Sequence, residues 1–259
     1  MNPKLNLYVT DFSRSDYSVG RFNGLGVETL KLACPDYIGS LRKQNGNERI
    51  VAEYMRGVFE RSMHGWYIDA LYTSRDPAIQ EVARRRFVDS ITCANFFQIP
   101  RVVFHSGYRK ALDGQSPQVT NEFIKTAAAF WQEFEEIIPP HISVYIENVE
   151  EERPEILAEL VQSIRNPKIK CCFDIGHAHC NSDAPVEEWA DALGSLIGHV
   201  HIHDNHGDRD AHLPLGQGNA PLAPVIEKIL SAADKDVPFV VECNMKTSVE
   251  WLTEMGFMA

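Results

Sequence analysis

Short runs rich in apolar and β-branched residues alternate along this chain with longer stretches whose apolar positions return every three or four residues. The short runs read as strands: LNLYVT (5–10), VETLKLA (27–33), FERSMHG (59–65), RVVFHSG (101–107), ISVYIEN (142–148), IKCCFDIGH (169–177), IGHVHIHDN (197–205) and PFVVECN (238–244). The longer stretches read as amphipathic helices over 78–97, 120–138, 153–164, 186–196 and 221–233, with SVEWLTEMGF (248–257) as a closing helix. Helices near 14–24 and 46–57 are weakly marked. Strands alternating with helices imply parallel pairing through right-handed crossovers. Eight such units in 259 residues predict an α/β fold, a single (β/α)8 TIM barrel over 1–259. An open doubly wound sheet is the alternative.

Alternation along each strand assigns every residue a face. In ISVYIEN, Ile142, Val144 and Ile146 point to the helices, while Ser143, Tyr145 and Glu147 point to the barrel axis. By the same phase Val102 and Phe104 point outward, and Val103 and His105 inward. Cys171 and Phe173 point outward, and Cys172 and Asp174 inward. Val240 and Glu242 point inward, as do His199, His201 and His203, with Val200 and Ile202 behind them. His64 closes its own strand in the same way. Six successive strands are thus expected to end in His64, His105, Glu147, Asp174, His201 and Glu242 at the C-terminal mouth, where barrels carry their chemistry.

So many imidazoles and carboxylates, brought together out of water, require neutralisation. A divalent cation is the simplest means, and mixed His/carboxylate donors suit Zn, Mn, Fe or Co better than Ca or Mg. Residues 199–219, HVHIHDNHGDRDAHLPLGQGN, hold five of the ten histidines. The loop within this segment supplies Asp210 and His212, an Asp-x-His pair, and Asp174 is followed by His177 and His179. His203 and His206 read as supporting or loop residues, and His141, ahead of its strand, as structural. The PLGQGN stretch lacks the strand-then-helix GxGxxG pattern of a dinucleotide site.

Composition narrows the partners. Hydrophobic residues make up 44% of the chain and charged residues 24%, ordinary globular values, and no apolar run approaches membrane-spanning length. The net charge of −11, from 25 Lys and Arg against 36 Asp and Glu, argues against general nucleic-acid binding. Six cysteines show no CxxC pair and no disulfide framework. Together with an N-terminus lacking a signal-peptide pattern, they set the expectation of a cytoplasmic protein, a homo-oligomer being compatible.

These residues resemble the superfamily shared by xylose isomerase-like sugar isomerases and epimerases and by endonuclease IV, all metal-dependent barrels. The resemblance covers roughly 59–244. Resemblance to the epimerase branch implies one ion held by Glu147 (YIEN), Asp174 (FDIGH), His201 (HVHIHD) and Glu242 (VECN), with His177 contacting substrate. Resemblance to the endonuclease IV branch implies a three-zinc cluster that adds His64 (MHGWYI), His105 (FHSG), His177, Asp210 and His212 (DAHLPLGQG). The chain departs from that branch after Asn148, where VEEERPE stands in place of a Gly-rich turn close to DNA. No basic cluster is evident among the expected mouth loops.

The resulting expectation is a sugar or sugar-phosphate isomerase or epimerase working through a cis-enediolate, with one to three divalent ions. Glu147 and Glu242 would exchange the carbon-bound proton, with Trp66, Tyr67 and Phe104 walling the pocket. A phosphodiesterase resembling endonuclease IV is the alternative.

Overall fold

Eight strands pair in sequence order, each parallel to the next, and the last returns to the first to close a barrel. They are β1 (Asn6–Thr10), β2 (Gly26–Thr29), β3 (Arg61–His64), β4 (Arg101–His105), β5 (Ser143–Glu147), β6 (Ile169–Asp174), β7 (Ile197–Ile202) and β8 (Pro238–Val241). In this computed structural model the described residues are 5–10, 25–33, 57–58, 60–69, 71–234 and 236–258. The weakly marked helices near 14–24 and 46–57 lie outside them, apart from residue 57. The closed barrel excludes the open sheet.

Among the described residues the helices are α1 (Pro77–Phe96), α2 (Lys110–Asp113), α3 (Pro117–Gln132), α4 (Pro154–Ile164), α5 (Ile175–Asn181), α6 (Val186–Leu193), α7 (Leu222–Ala232) and α8 (Met245–Glu254). Their starts are written in the sequence. Asp76 accepts the Ala78 N–H at 2.8 Å ahead of Pro77, and Ser116 accepts that of Val119 at 3.4 Å ahead of Pro117. Asn244 caps α8 through the Thr247 N–H at 3.1 Å, so the closing helix begins three residues before the expected 248. The strand expected over 27–33 stops at Thr29, and Lys31–Ala33 turn into a 3-10 segment.

The two faces of the barrel wall carry different chemistry. Val102, Phe104, Val144, Ile146, Cys171, Phe173, Val200 and Ile202 all join the main apolar core between strands and helices, as their phase predicted. That core is strongly aromatic on one side: Phe87 lies 5.0 Å from both Phe104 and Trp131, ring centre to ring centre. Inside the barrel, Val103, Tyr145 and Cys172 form a separate small cluster. β7 carries one extra residue opposite the Cys171/Cys172 step, and the register resumes with Cys172 beside His199 and Asp174 beside His201. Gly198 fits this bulge because a β-carbon there would crowd the Tyr145 ring. No described helix is long and apolar enough to cross a membrane, and the five described cysteines are free thiols.

The acidic VEEERPE segment turns out to be a latch between loops. Glu151 is 2% exposed and accepts hydrogen bonds from the Ser106 hydroxyl and, at 2.7 Å, the Val149 N–H. The Tyr108 hydroxyl donates to Glu152 at 2.9 Å, and Glu150 accepts the Lys110 N–H at 2.9 Å. Three carboxylates therefore tie the loop after β5 to the loop after β4. Burial pushes the Glu151 carboxyl up to about 7, against the opposing pull of its hydrogen bonds.

The folded chain thus keeps the Glu151 proton to about pH 7, whereas the unfolded chain releases it near 4.5. Between those values the folded state binds more protons, so this group's contribution to stability is fully present below about pH 4.5 and is lost as pH rises through 7. The loss amounts to roughly 3 kcal/mol. Denaturant unfolding of wild type and Glu151→Gln at pH 4.5 and pH 8 is expected to show the variant gaining about that much relative to wild type at the higher pH. A stability difference independent of pH would contradict the buried-proton account.

Candidate metal centre

Glu147, at the end of β5 and 1% exposed, is the point on which the inward side chains converge. Its Oε2 faces His64 Nε2 at 3.1 Å and His105 Nε2 at 3.5 Å. Its Oε1 faces His201 Nδ1 at 3.1 Å, and that same nitrogen lies 3.5 Å from Glu242 Oε1 and 3.9 Å from Asp174 Oδ2. Two donor sets therefore share one carboxylate: His64, His105 and Glu147 on one side, and Glu147, Asp174, His201 and Glu242 on the other. Within each set the donor atoms lie within 4.8 Å of one another. A third set gathers His177, His203, Asp210 and His212 at the same spacing.

Each ring in these sets for which a partner is seen has one nitrogen fixed from behind, which decides the tautomer and frees the other nitrogen. His64 Nδ1 donates to the Gly65 carbonyl at 3.0 Å, His177 Nδ1 to the Asn148 carbonyl at 2.9 Å, and His212 Nδ1 to the Glu242 carbonyl at 2.8 Å. All three leave Nε2 for the site. His201 is turned the other way: its Nε2 donates to Glu28 Oε1 at 2.8 Å, presenting Nδ1 to Glu147. Glu28 also accepts from His199 Nε2 at 2.9 Å and is fully buried below the mouth. Asp174 has two tasks. Its Oδ1 caps α5 by accepting the His177 N–H at 2.7 Å, and its Oδ2 faces the shared site.

The loop carrying Asp210 and His212 is organised by one buried carboxylate. Asp204 accepts four backbone N–H groups, from Asn205 (2.8 Å), Gly216 (3.0 Å), Gly218 (2.9 Å) and Ala220 (3.0 Å). It also pairs through its backbone with Leu213. A β-carbon at Gly218 would collide with the Asp204 carboxylate and the Asn205 carbonyl, which accounts for the Leu-Gly-x-Gly turn. The path leaves His212 at a φ of 44°, in the left-handed region that costs a residue with a β-carbon about 1–2 kcal/mol. Such strain held next to a carboxylate and two further imidazoles fits a positioned donor.

The electrostatics fit cations. Burial alone would raise the Glu147 carboxyl, yet the facing His201 and His105 hold it well below the usual carboxylate range. Burial likewise opposes Asp174, which His177 and His203 keep low. Glu242 moves the other way: burial pushes it up, reinforced by Glu147 and Asp174 against the pull of His201. His105 is pushed down to about 3 by burial and so is neutral, as a ligand must be. Asp174 Oδ2 and both ring nitrogens of His203 are buried without a hydrogen-bond partner. Orphaned acceptors among carboxylates and oriented imidazoles are what a divalent cation satisfies, and the donor chemistry matches Zn, Mn, Fe or Co.

All nine sequence-predicted ligands, His64, His105, Glu147, Asp174, His177, His201, Asp210, His212 and Glu242, fall in these three sets. Tyr67 stands at the rim with its ring centre 4.7 Å from that of His64 and 5.0 Å from that of His105. Trp66 and Phe104 are elsewhere: both belong to the apolar core and line a small void with Phe87 and Trp131, Phe104 because its strand phase points it outward and Trp66 because the chain beyond β3 turns onto α1, where its backbone N–H donates to the Ser90 hydroxyl at 3.1 Å. His179 bonds Asn219 at 2.9 Å outside the cluster, and His206 is exposed. Sequence reasoning missed Glu28, although its inward phase between Val27 and Thr29 was a usable signal. His203, read as a supporting residue, lies beside Asp174, with Nε2 3.3 Å from Oδ1, and beside Asp210.

The family described as xylose isomerase-like TIM barrel matches residues 38–257. The uncharacterised protein MJ1311 of Methanocaldococcus jannaschii is 28% identical over 73% of this chain and 66% of its own length. A probable endonuclease 4 of Symbiobacterium thermophilum is 31% identical over 40% of this chain and 42% of its own. The chain thus covers just under two thirds of the first of these relatives and less than half of the second. Among solved structures, the TTHB071 protein of Thermus thermophilus, soaked with ZnCl2, superposes with a TM-score of 0.76 at 22% identity, covering 97% of this chain and 98% of that one. A D-tagatose 3-epimerase-like protein superposes at 0.69 with 24% identity and 96% coverage of both. At these identities the structural likeness speaks for the fold.

Glu28 generates a direct test. Glu28→Gln keeps the shape but withdraws the anion behind His201, and loss of such a partner typically weakens metal affinity by about 10–100-fold. Competition of the stripped protein against a chromophoric chelator for zinc is expected to show a decrease of that size. Unchanged affinity would mean that Glu28 does not tune the site.

Proposed function

The chain belongs to the xylose isomerase-like TIM barrel family, and within it we propose a divalent-metal-dependent hydrolase of phosphate esters. The observation that carries this reading is the double engagement of Glu147, with Oε2 between His64 and His105 and Oε1 against His201. A carbon-acid isomerase working on one ion needs a carboxylate oxygen free to take a proton. Here both oxygens already face donor sets, and His64, its tautomer fixed, and His105 would serve as extra ligands. A carboxylate shared between two cation positions suits in-line displacement at phosphorus, where attacking and leaving oxygens both need stabilisation.

When bound, divalent cations supply Lewis-acid polarisation of a phosphoryl oxygen and lower the pKa of water. The chain's own residues do the positioning. His64, His105, Glu147, Asp174, His201 and Glu242 hold the shared pair of positions, and Glu28 orients His201. His105, 22% exposed, marks the side open to an incoming ester, and Tyr67 beside it offers a ring for the substrate body to pack on. Zn, Mn, Co and Fe all suit the donors, and a cytoplasmic setting agrees with the free thiols.

A second reading, the metal-dependent sugar isomerase or epimerase, is favoured by one observation. Glu147 and Glu242 both face His201 Nδ1, at 3.1 and 3.5 Å, and their carboxyls are shifted in opposite directions, Glu147 down and Glu242 up. Paired titratable groups pushed apart by their surroundings suit an acid and a base on one substrate. The barrel likeness to the D-tagatose 3-epimerase-like protein is compatible with it.

One experiment separates the two. Zinc- or manganese-loaded protein is assayed on p-nitrophenyl phosphate, bis-p-nitrophenyl phosphate, sugar phosphates and abasic-site duplex DNA, and in parallel on ketoses in deuterated water by proton NMR. Ester cleavage is expected, abolished by chelation and reduced at least ~100-fold in Glu147→Gln and His64→Ala. Exchange of a carbon-bound hydrogen without ester cleavage would contradict the hydrolase and establish the second reading.

A further inference from the structure

We propose that the end of the barrel opposite the mouth carries a second ligand site, one that takes the phosphate group of a small molecule. A cleft of about 440 Å³ opens there among the first residues of β4, β5, β6 and β7, within the size range of small-molecule sites. Barrel interiors are ordinarily filled by bulky branched side chains. Here strand phase turns Arg101, Ser143 and Lys170 inward at the starts of their strands. The register makes neighbours of them: Arg101 lies beside Ser143, and Lys170 beside Tyr145. All four line the cleft, together with half-buried Lys168.

Three observations carry the proposal. Two of the donors lack an acceptor among the described residues. Arg101 Nε is buried without a hydrogen bond, and the guanidinium reaches exposed Glu60 only at 3.9 Å. Tyr145 is 7% exposed, yet its hydroxyl makes no hydrogen bond among the described residues. Buried polar groups nearly always find a partner. The backbone, next, is shaped around the cleft. Gly198 is the extra residue of the β7 bulge, and a β-carbon there would stand 2.6 Å from the Tyr145 ring and 2.9 Å from Lys170 Cδ. The bulge therefore gives both side chains their room. Finally, a chain of net charge −11 gathers three cations here, Arg101, Lys168 and Lys170, against two exposed carboxylates, Asp234 and Asp236. Lys170 pairs with Asp234 at 2.8 Å, but that carboxylate is 77% exposed, and such a pair yields readily to a better anion. Lys168 gives one N–H to the Ile138 carbonyl at 3.1 Å and keeps its other donors.

The donor set selects the ligand. A guanidinium, two ammonium groups and two hydroxyls call for an acceptor-rich anion, and a phosphate monoester offers three oxygens where a carboxylate offers two. Arg101 and His105 are four residues apart on β4, roughly 13 Å at about 3.3 Å per residue. A ligand held by Arg101 is thus separate from the donor sets at the mouth.

The test titrates the full chain with phenylphosphonate, a phosphate mimic with no ester bond to cleave, and with benzoate, by calorimetry at fixed ionic strength. Each titration is run on zinc-loaded protein and repeated after chelation, with folding checked by circular dichroism. A phosphonate held by metal at the mouth leaves with the metal, whereas one held at the opposite end remains. We expect one phenylphosphonate per folded, chelated chain, and markedly weaker binding of benzoate. Hydrogen bonds to charged groups are strong enough that Arg101→Gln and Lys170→Gln should each weaken phenylphosphonate roughly 10-fold or more, with a smaller loss in Tyr145→Phe. Lys170 makes only an exposed ion pair, so Lys170→Gln keeps the test decisive should Arg101→Gln fail to fold. No binding to the folded, chelated chain, an affinity unchanged in folded Lys170→Gln, or benzoate binding as tightly as phenylphosphonate would overturn the proposal.

Discussion

Negative charge carried out of water has to be balanced, and the mouth of this barrel is built around that requirement. Glu28, Glu147, Asp174 and Glu242 are all at least 94% buried, and all four lie within 4 Å of a His201 ring nitrogen. Imidazolium can neutralise part of this charge, and the facing anionic groups drive His201 and His177 up, but burial, reinforced by the neighbouring charged rings, keeps His105 neutral. Divalent cations remove the conflict: they satisfy the carboxylates and accept neutral rings at the same time. The Glu147 carboxylate, with one oxygen toward each of two donor sets, is where this balance is struck.

Everything around Glu147 serves to hold it in that double role. The barrel register sets His105 beside Glu147 and Asp174 beside His201. Glu28 fixes His201 from below, and the Asp204 hub holds the loop that brings Asp210 and His212 across the opening. The cost of burying these groups, and of keeping His212 in a left-handed conformation, falls on the apolar layer between strands and helices. That layer, rich in Phe and Trp on the α1–α3 side, lies behind the strands and meets the site where His105 shares a small void with Phe87, Phe104 and Trp131.

Much of this could be read from residue order, for a physical reason. A strand repeats every two residues, so a polar side chain in phase with Tyr145 or Cys172 has no choice of face, and the six inward strand-end candidate donors follow directly. Glu28 obeyed the same rule but stood in a run, VETLKLA, whose second half leaves the sheet, which blurred its phase. The hub at Asp204 was not legible because its partners are backbone N–H groups, which no side-chain pattern records. The latch through Glu150, Glu151 and Glu152 was not legible for a related reason: its partners Ser106, Tyr108 and Lys110 stand about forty residues earlier. The expected preference for an isomerase rested on the net charge of −11 and the acidic loop after Asn148, and the sequence could not show that both oxygens of Glu147 face donor sets.

The central claim is that Glu147 joins two preformed cation positions. It is tested most directly by anomalous diffraction from crystals of the zinc-loaded protein, collected above and below the zinc edge. The account predicts an anomalous peak on each side of the Glu147 carboxylate, one among His64 and His105 and the other among Asp174, His201 and Glu242. The donor side chains should keep their present rotamers. A single peak, with His64 and His105 turned away from Glu147, would contradict it.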